Sequence, residues 1–144
     1  MNTTTKKSTP ISAVCTDCGT LYMLTINNTE KHLVYCDWQI NGGNPIFLDI
    51  GKEDPVVLFG GCVHAAAITN KGRIIFINRT PIKKSPKSRI TAVSLPDGKK
   101  ATIVACCINS VMVLSSDGQV FESPVIERST ILRFSQVREL AGQE

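Results

Sequence analysis

The chain has 144 residues, 42% of them hydrophobic and 19% charged, with a formal net charge of +4. This composition is too apolar for a disordered chain, and the length suits one domain. No apolar run approaches the ~20 residues of a membrane-spanning helix. Six cysteines with no secretory signal before them predict a reducing compartment, cytoplasm or nucleus, rather than a disulfide framework.

Residues 1–10, MNTTTKKSTP, read as a flexible arm, and residues 11–144 as a single folded segment. From there on, apolar runs are short, rich in Val and Ile, and broken by Gly, Pro, Asp and Asn, which predicts an all-β chain. ISAVCT and GTLYML flank the turn Thr16-Asp17-Cys18-Gly19. NPIFLDI, VVLFGG, HAAAIT and GRIIFI follow as four strands, with Thr69-Asn70-Lys71-Gly72 joining the last two. RITAVSL, TIVACC, SVMVLS and GQVFES repeat that series, with Ser115-Ser116-Asp117-Gly118 at the same joint. FSQVREL opens the series again. In each turn Gly19, Gly72 or Gly118 supplies the positive φ of a tight hairpin. Leu95-Pro96-Asp97-Gly98-Lys99 is a further turn between strands. No helix is expected, and the two prolines at 81 and 86 argue against one in the basic segment.

The series is a repeat. Residues 56–77 run in register with residues 102–123, matching Gly61 with Cys107, His64 with Ser110, Ile68 with Leu114 and Gly72 with Gly118. Phe47, Ala92 and Val137 recur at a similar interval, as do Ile50, Leu95 and Leu140. Such a period marks one supersecondary unit used several times. The units fall at about 11–43, 44–88 and 89–133, with another begun at 134–144. Runs apolar at every position, with small residues Gly60, Gly61, Ala65, Ala66, Ala67 and Ala105 among them, predict sheets buried on both faces, as in stacked propeller blades. The expectation is about three blades of a partial β-propeller. The chain begins on the last strands of one unit and stops on the first strand of another, so these halves would share a blade if further blades lay between.

Phe59-Gly60-Gly61-Cys62-Val63-His64-Ala65 continuing to Asn70-Lys71-Gly72-Arg73-Ile74-Ile75-Phe76 resembles the regulator of chromosome condensation repeat, a seven-bladed β-propeller family. So does Val104-Ala105-Cys106-Cys107-Ile108-Asn109-Ser110 continuing to Asp117-Gly118-Gln119-Val120-Phe121, and, less completely, Ser12–Tyr22. The family's Trp-Gly after the last strand and its following Gly-Gln-Leu-Gly loop are missing. The resemblance implies a non-enzymatic protein-interaction scaffold. It also implies, as an alternative, a guanine-nucleotide exchange or regulatory factor for a small GTPase. Gly19, Gly61, His64, Gly72, Ser110, Asp117 and Gly118 are then repeat positions with structural roles.

Charge singles out one surface. Residues 71–100 hold nine bases and one acid, Asp97, while the rest of the chain is net acidic. Within that segment Arg79, Lys83, Lys84, Lys87 and Arg89 form a basic loop suited to an acidic protein face or a nucleic-acid backbone. Ser85 and Ser88 are points where phosphorylation would cancel charge. Aromatic residues that stack bases are absent from it, which disfavours single-strand binding. Cys15-x-x-Cys18 has the spacing of half a zinc site or a redox pair, but no second CxxC or HxxxH completes it, so packing is the expectation. His64 near Cys62 lacks an orienting partner in the sequence for a nucleophile pair. No catalytic residue, metal or cofactor is expected. The expected partners are proteins, together with further blades or other copies meeting the open sheet edges.

Overall fold

The computed structural model describes residues 8–38, 42–85, 87–127 and 129–139. Most of the expected arm, Pro86 and the register position Leu140 lie outside these residues.

The chain is built of three antiparallel sheets. Sheet 1 holds β1 (Thr9–Cys15), β2 (Thr20–Asn27), β3 (Glu30–Asp37) and β4 (Ile46–Leu48), in that order across the sheet. Sheet 2 holds β5 (Pro55–Phe59), β6 (Ala65–Thr69) and β7 (Ile74–Ile77). Sheet 3 holds β8 (Ala101–Cys106), β9 (Ser110–Ser115), β10 (Gln119–Pro124) and β11 (Ser135–Glu139).

Sheet 2 lies between the other two, and its side chains alternate between them. Leu58, Ala65, Ala67, Ile75 and Ile77 pack against Tyr22, Leu24, Leu33, Tyr35 and Leu48 of sheet 1. Ala66, Ile68, Ile74 and Phe76 pack against Val104, Val111, Val113 and Phe121 of sheet 3. Every residue of β6 and β7 is buried. This is why these strands are written without polar alternation. The crowded end of the stack needs small residues. A Cβ at Gly61 would lie 2.3 Å from the Cys106 carbonyl oxygen, and one at Gly60 would lie 2.7 Å from that of Cys15. The ends of β1, β5 and β8 therefore converge to backbone contact.

The hairpin glycines behave as their turns require: Gly19, Gly72 and Gly118 have φ of +92°, +74° and +84°. Each donates its N–H to the carbonyl of Thr16, Thr69 or Ser115.

Three features differ from the sequence reading. The strand that reads as opening each unit instead closes the sheet before it. β4 pairs with β3 and β11 with β10, each at the outer edge. Residues 89–95 take the same place beside sheet 2 but form no strand, pairing only through a Val93–Ile74 bridge. Both end sheets thus have four strands among the described residues.

Second, the first copy is offset. The Thr16–Gly19 hairpin has the hydrogen bonds of the other two turns, yet it joins β1 to β2, one strand nearer the convergent end. Leu24 faces Leu33 across the next hairpin as Ile68 faces Ile74 and Leu114 faces Val120. The left-handed residue of that second hairpin is Asn28, with φ of 59°. Asn is the side-chain-bearing residue, along with Asp, that tolerates this region best.

Third, a helix is present. Helix α1 spans Arg79–Lys84, against the expectation drawn from its prolines. Pro81 sits in the first turn, where an N–H has no intrahelical acceptor to lose. The Asn78 side chain caps the turn by accepting the Thr80 N–H at 3.1 Å. Ile82, buried to 3% exposure, anchors the helix in the core. Residues 95–99 form a short 3-10 turn, Pro96–Gly98, as a connector.

With Asn28 at positive φ, Asn28→Gly should fold with equal or greater stability. Asn28→Val should lose about 1–3 kcal/mol, because a β-branched residue is strained at positive φ. Urea titration of the three proteins checks the order.

Candidate functional site

The basic segment separates into a buried portion and an exposed portion. Arg79, expected in the partner-binding set, turns inward. Its guanidinium pairs with the Asp37 carboxylate at 3.0 Å, and the two side chains are only 13% and 2% exposed. Arg79 Nε also donates to Asp37 Oδ2 at 3.1 Å and to Thr20 Oγ1 at 3.3 Å. Thr20 and the Tyr35 hydroxyl donate to the same carboxylate oxygen at 3.3 and 3.4 Å. This carboxylate, buried at the end of β3, holds the start of α1 onto sheet 1.

His64 completes the junction. It is buried, accepts the Arg79 backbone N–H through Nδ1 at 3.1 Å, and sets its ring edge-on to Phe76 at 5.4 Å. Burial lowers its pKa, a hydrogen bond with the Ile108 backbone acts in the opposite direction, and the Arg79 charge lowers it further. Neutral His64 is thus an acceptor within the fold. Asn78, 1% exposed, works in the opposite direction along the stack. Its side-chain amide donates to the carbonyls of Ser129 at 2.8 Å and Ile126 at 3.3 Å, beyond β10. Asp37, facing Thr20 across β2 and β3, and Asn78, following β7, are equivalent by strand pairing. Each reaches from the end of its strand into the segment that follows the corresponding strand of the next sheet. Ser110, the repeat counterpart of His64, begins β9 and accepts the Cys107 N–H through its carbonyl at 2.9 Å.

The exposed portion is the rim of α1. Lys83 and Lys84 lie in its last turn and Lys87 beyond it, and none forms an ion pair among the described residues. Arg89 makes a surface pair with Asp49 at 2.8 Å and lowers that carboxyl's pKa. A groove of about 420 Å³ runs between α1 and residues 129–131. Lys84, Arg89, Ser85, Ser88, Ser129 and Thr130 supply its polar lining. The groove was not legible in the sequence, because residues 129–131 come to it through Asn78.

All six cysteines are free. The Cys18 thiol is pushed up by burial, but hydrogen bonds with Thr16 and Thr20 and the Arg79 charge outweigh that and lower it. Its sulfur lies 3.2 Å from Thr16 Oγ1. Cys15 is exposed near Gly60, Gly61, Cys62 and Cys106. Among the described residues, no group of three or more His, Cys, Asp or Glu is arranged to hold a metal. Asp117 pairs with Lys99 and accepts from the Ser115 hydroxyl, locking its turn. Trp38 is 60% exposed and lies against Gly43 rather than in the core.

Three antiparallel sheets stacked face to face, with their inner strands converging, define a β-propeller segment. The structure is similar to human WBSCR16, with a TM-score of 0.57 and 15% identity over 87% of this chain and 37% of that one. It is also similar to Prp20p from Saccharomyces cerevisiae, with a TM-score of 0.54 and 12% identity over 85% of this chain and 37% of that one. That structure was described with the binding of Prp20p to Gsp1p and histones. The likeness extends to yeast RCC1 (Prp20) bound to Kap60, with a TM-score of 0.52, 10% identity and coverage of 85% and 36%. The chain therefore spans little more than a third of the length of these proteins. No protein-family model and no curated protein sequence matches it. Among the described residues, no helix is long and apolar enough to cross a membrane.

Two outcomes follow from the junction. Asp37→Ala strands the Arg79 charge, so it should cost about 3–5 kcal/mol. Asp37→Ala combined with Arg79→Met should recover some of that loss in thermal melts.

The His64 prediction concerns pH. The folded pKa lies below the ordinary 6.5, so the unfolded chain takes up the proton first as pH falls. The stability that neutral His64 contributes is complete above about pH 6.5 and is lost on descending toward the lower folded pKa. His64→Gln should flatten this region of a stability–pH curve measured by urea titration.

Proposed function

We propose that this chain is a non-enzymatic, propeller-based scaffold that docks an acidic protein surface on the rim formed by Lys83, Lys84, Lys87 and Arg89. The observation that carries this reading is the groove beside α1, where two cations and four hydroxyls line one open cleft. Positive charge gathered on one rim speeds encounter with an acidic partner and sets its orientation, with an effect that weakens in salt. Arg79 takes no role there, since its charge is committed to Asp37. The known partners of the structural neighbours, Gsp1p, histones and Kap60, support a protein partner as the class. The proposed setting is the cytoplasm or nucleus.

A second reading, exchange or regulation on a small GTPase, is favoured by the likeness to Prp20p, described with its binding to Gsp1p. Addition of the chain would then accelerate release of a labelled guanine nucleotide from a small GTPase. No acceleration across a panel leaves the scaffold reading in place.

The scaffold reading is tested with a fluorescent Glu-rich peptide, a neutral peptide of equal length and a short DNA duplex. Binding of the acidic peptide should weaken with salt. It should fall at least tenfold in Lys83→Glu/Lys84→Glu/Lys87→Glu, which leaves the Asp37–Arg79 junction intact. Equal binding of wild type and triple variant removes the rim from the account. Tighter binding of the duplex than of the acidic peptide reassigns the rim to nucleic acid.

A further inference from the structure

Among the described residues no sheet covers the outward face of either end sheet, and the repeat register says what kind of surface each one is. On sheet 3 this face carries the charged Glu122, opposite Met112, and the apolar Ile103, Met112, Leu114 and Val120, aligned across the sheet by strand pairing. The apolar residues are the repeat counterparts of Val57, Ala66, Ile68 and Ile74 in sheet 2. Ala66, Ile68 and Ile74 are buried against sheet 3. In sheet 3 itself, Ile103 is 52% and Met112 38% exposed.

On sheet 1 the outward face carries Leu21, Met23, Val34 and Phe47, with Met23, Val34 and Phe47 in one row. Pairing Leu24 with Leu33 as Ile68 with Ile74 makes Leu21, Met23 and Val34 the counterparts of Ala65, Ala67 and Ile75. Those three are fully buried against sheet 1. Phe47 is 53% exposed, whereas Val34 between it and Met23 is itself buried at 2%.

The exposed surfaces are therefore not two unrelated patches. One is the leading face and the other the trailing face of a sheet-on-sheet junction that the chain already makes twice, between sheets 1 and 2 and between sheets 2 and 3. We propose that a second copy of the chain supplies the missing half, so that the Ile103–Met112 face of one copy packs head to tail on the Met23–Phe47 face of the other. Exposed large apolar side chains such as Ile103, Met112 and Phe47 on sheet faces mark an interaction site. A head-to-tail contact is heterologous, so it closes into a ring or propagates. Two copies bring six sheets around one axis, within the range of about 4–8 at which propellers close. The contact uses sheet faces, not the open strand edges, and it is independent of the basic rim.

The test is the native mass of the full chain, by light scattering or sedimentation at micromolar to high-micromolar concentration. The wild type should run at twice the 15.7 kDa of one chain. Ile103→Asp and Phe47→Asp should each halve that mass while keeping the far-ultraviolet dichroism, because both side chains are exposed in a single copy. An equimolar mixture of these two variants should regain a two-chain species, since each keeps the face that the other has lost. Should either aspartate variant unfold, Met112→Gln and Met23→Gln carry the same comparison. A monomeric wild type overturns the proposal and leaves these faces to other occupants, such as further propeller sheets. A Phe47→Asp variant that remains dimeric, or a mixture that stays monomeric, overturns the head-to-tail arrangement.

Discussion

The strands β6 and β7 of sheet 2 have no solvent face, and that constraint governs the rest of the molecule. A sheet covered on both sides gains apolar burial at every residue, about 25 cal/mol per Å² removed from water. It also gives up the polar alternation that fixes which face turns inward. Here side-chain size replaces polarity as the register signal. Ala65, Ala66 and Ala67 occupy the first three positions of β6, and Ile74, Ile75, Phe76 and Ile77 fill β7. Small residues in one strand and large ones in its neighbour let sheets 1 and 3 approach from both sides without overpacking.

Packing by area alone would allow the sheets to slide, and the polar junction at residues 78 and 79 limits this. Asp37 reaches from sheet 1 to Arg79, His64 receives the Arg79 N–H, and Asn78 reaches on to the segment after β10. Three successive repeats are thus tied through two adjacent residues. A buried ion pair is weak evidence for net stability, because desolvation offsets much of the attraction. Its effect here is directional: only one placement of α1 satisfies the carboxylate, the imidazole and the amide together. The short helix then follows from the tie, since Asn78 caps it while its amide is engaged with the segment after β10.

The repeat, the all-β class and the hairpin glycines were legible because each is encoded within a few residues. What was not legible required contacts between distant segments. Asp37 and Arg79 are 42 residues apart, and nothing near either one names the other. Asn28 carries no glycine signal, so the sequence offers Gly19 for the first copy. That glycine makes the same local turn one strand too early. The sequence shows strands at Ile46–Leu48 and Ser135–Glu139 but not which sheets they join. Strand pairing is not written in the pairing residues alone. Pro81 misled because its effect depends on position in the helix, and the cap that sets that position is a single side chain.

Net charge was the least faithful of the sequence signals, and the structure shows why. The bases of residues 71–100 divide by what lies opposite them. Arg73 pairs with Glu53 at 2.8 Å, Arg79 with Asp37, Arg89 with Asp49, and Lys99 with Asp117. Four of the nine bases are thereby matched by acids from elsewhere in the chain, which accounts for much of the acidic balance of the remaining sequence. The cationic block of the sequence is thus, for nearly half its members, the positive side of intramolecular ion pairs. The charge left at the rim is concentrated at Lys83, Lys84 and Lys87, just where α1 ends. A partner meets a small, positioned cluster there, whose place is set by the same Asn78 and Arg79 contacts that hold the sheets in order.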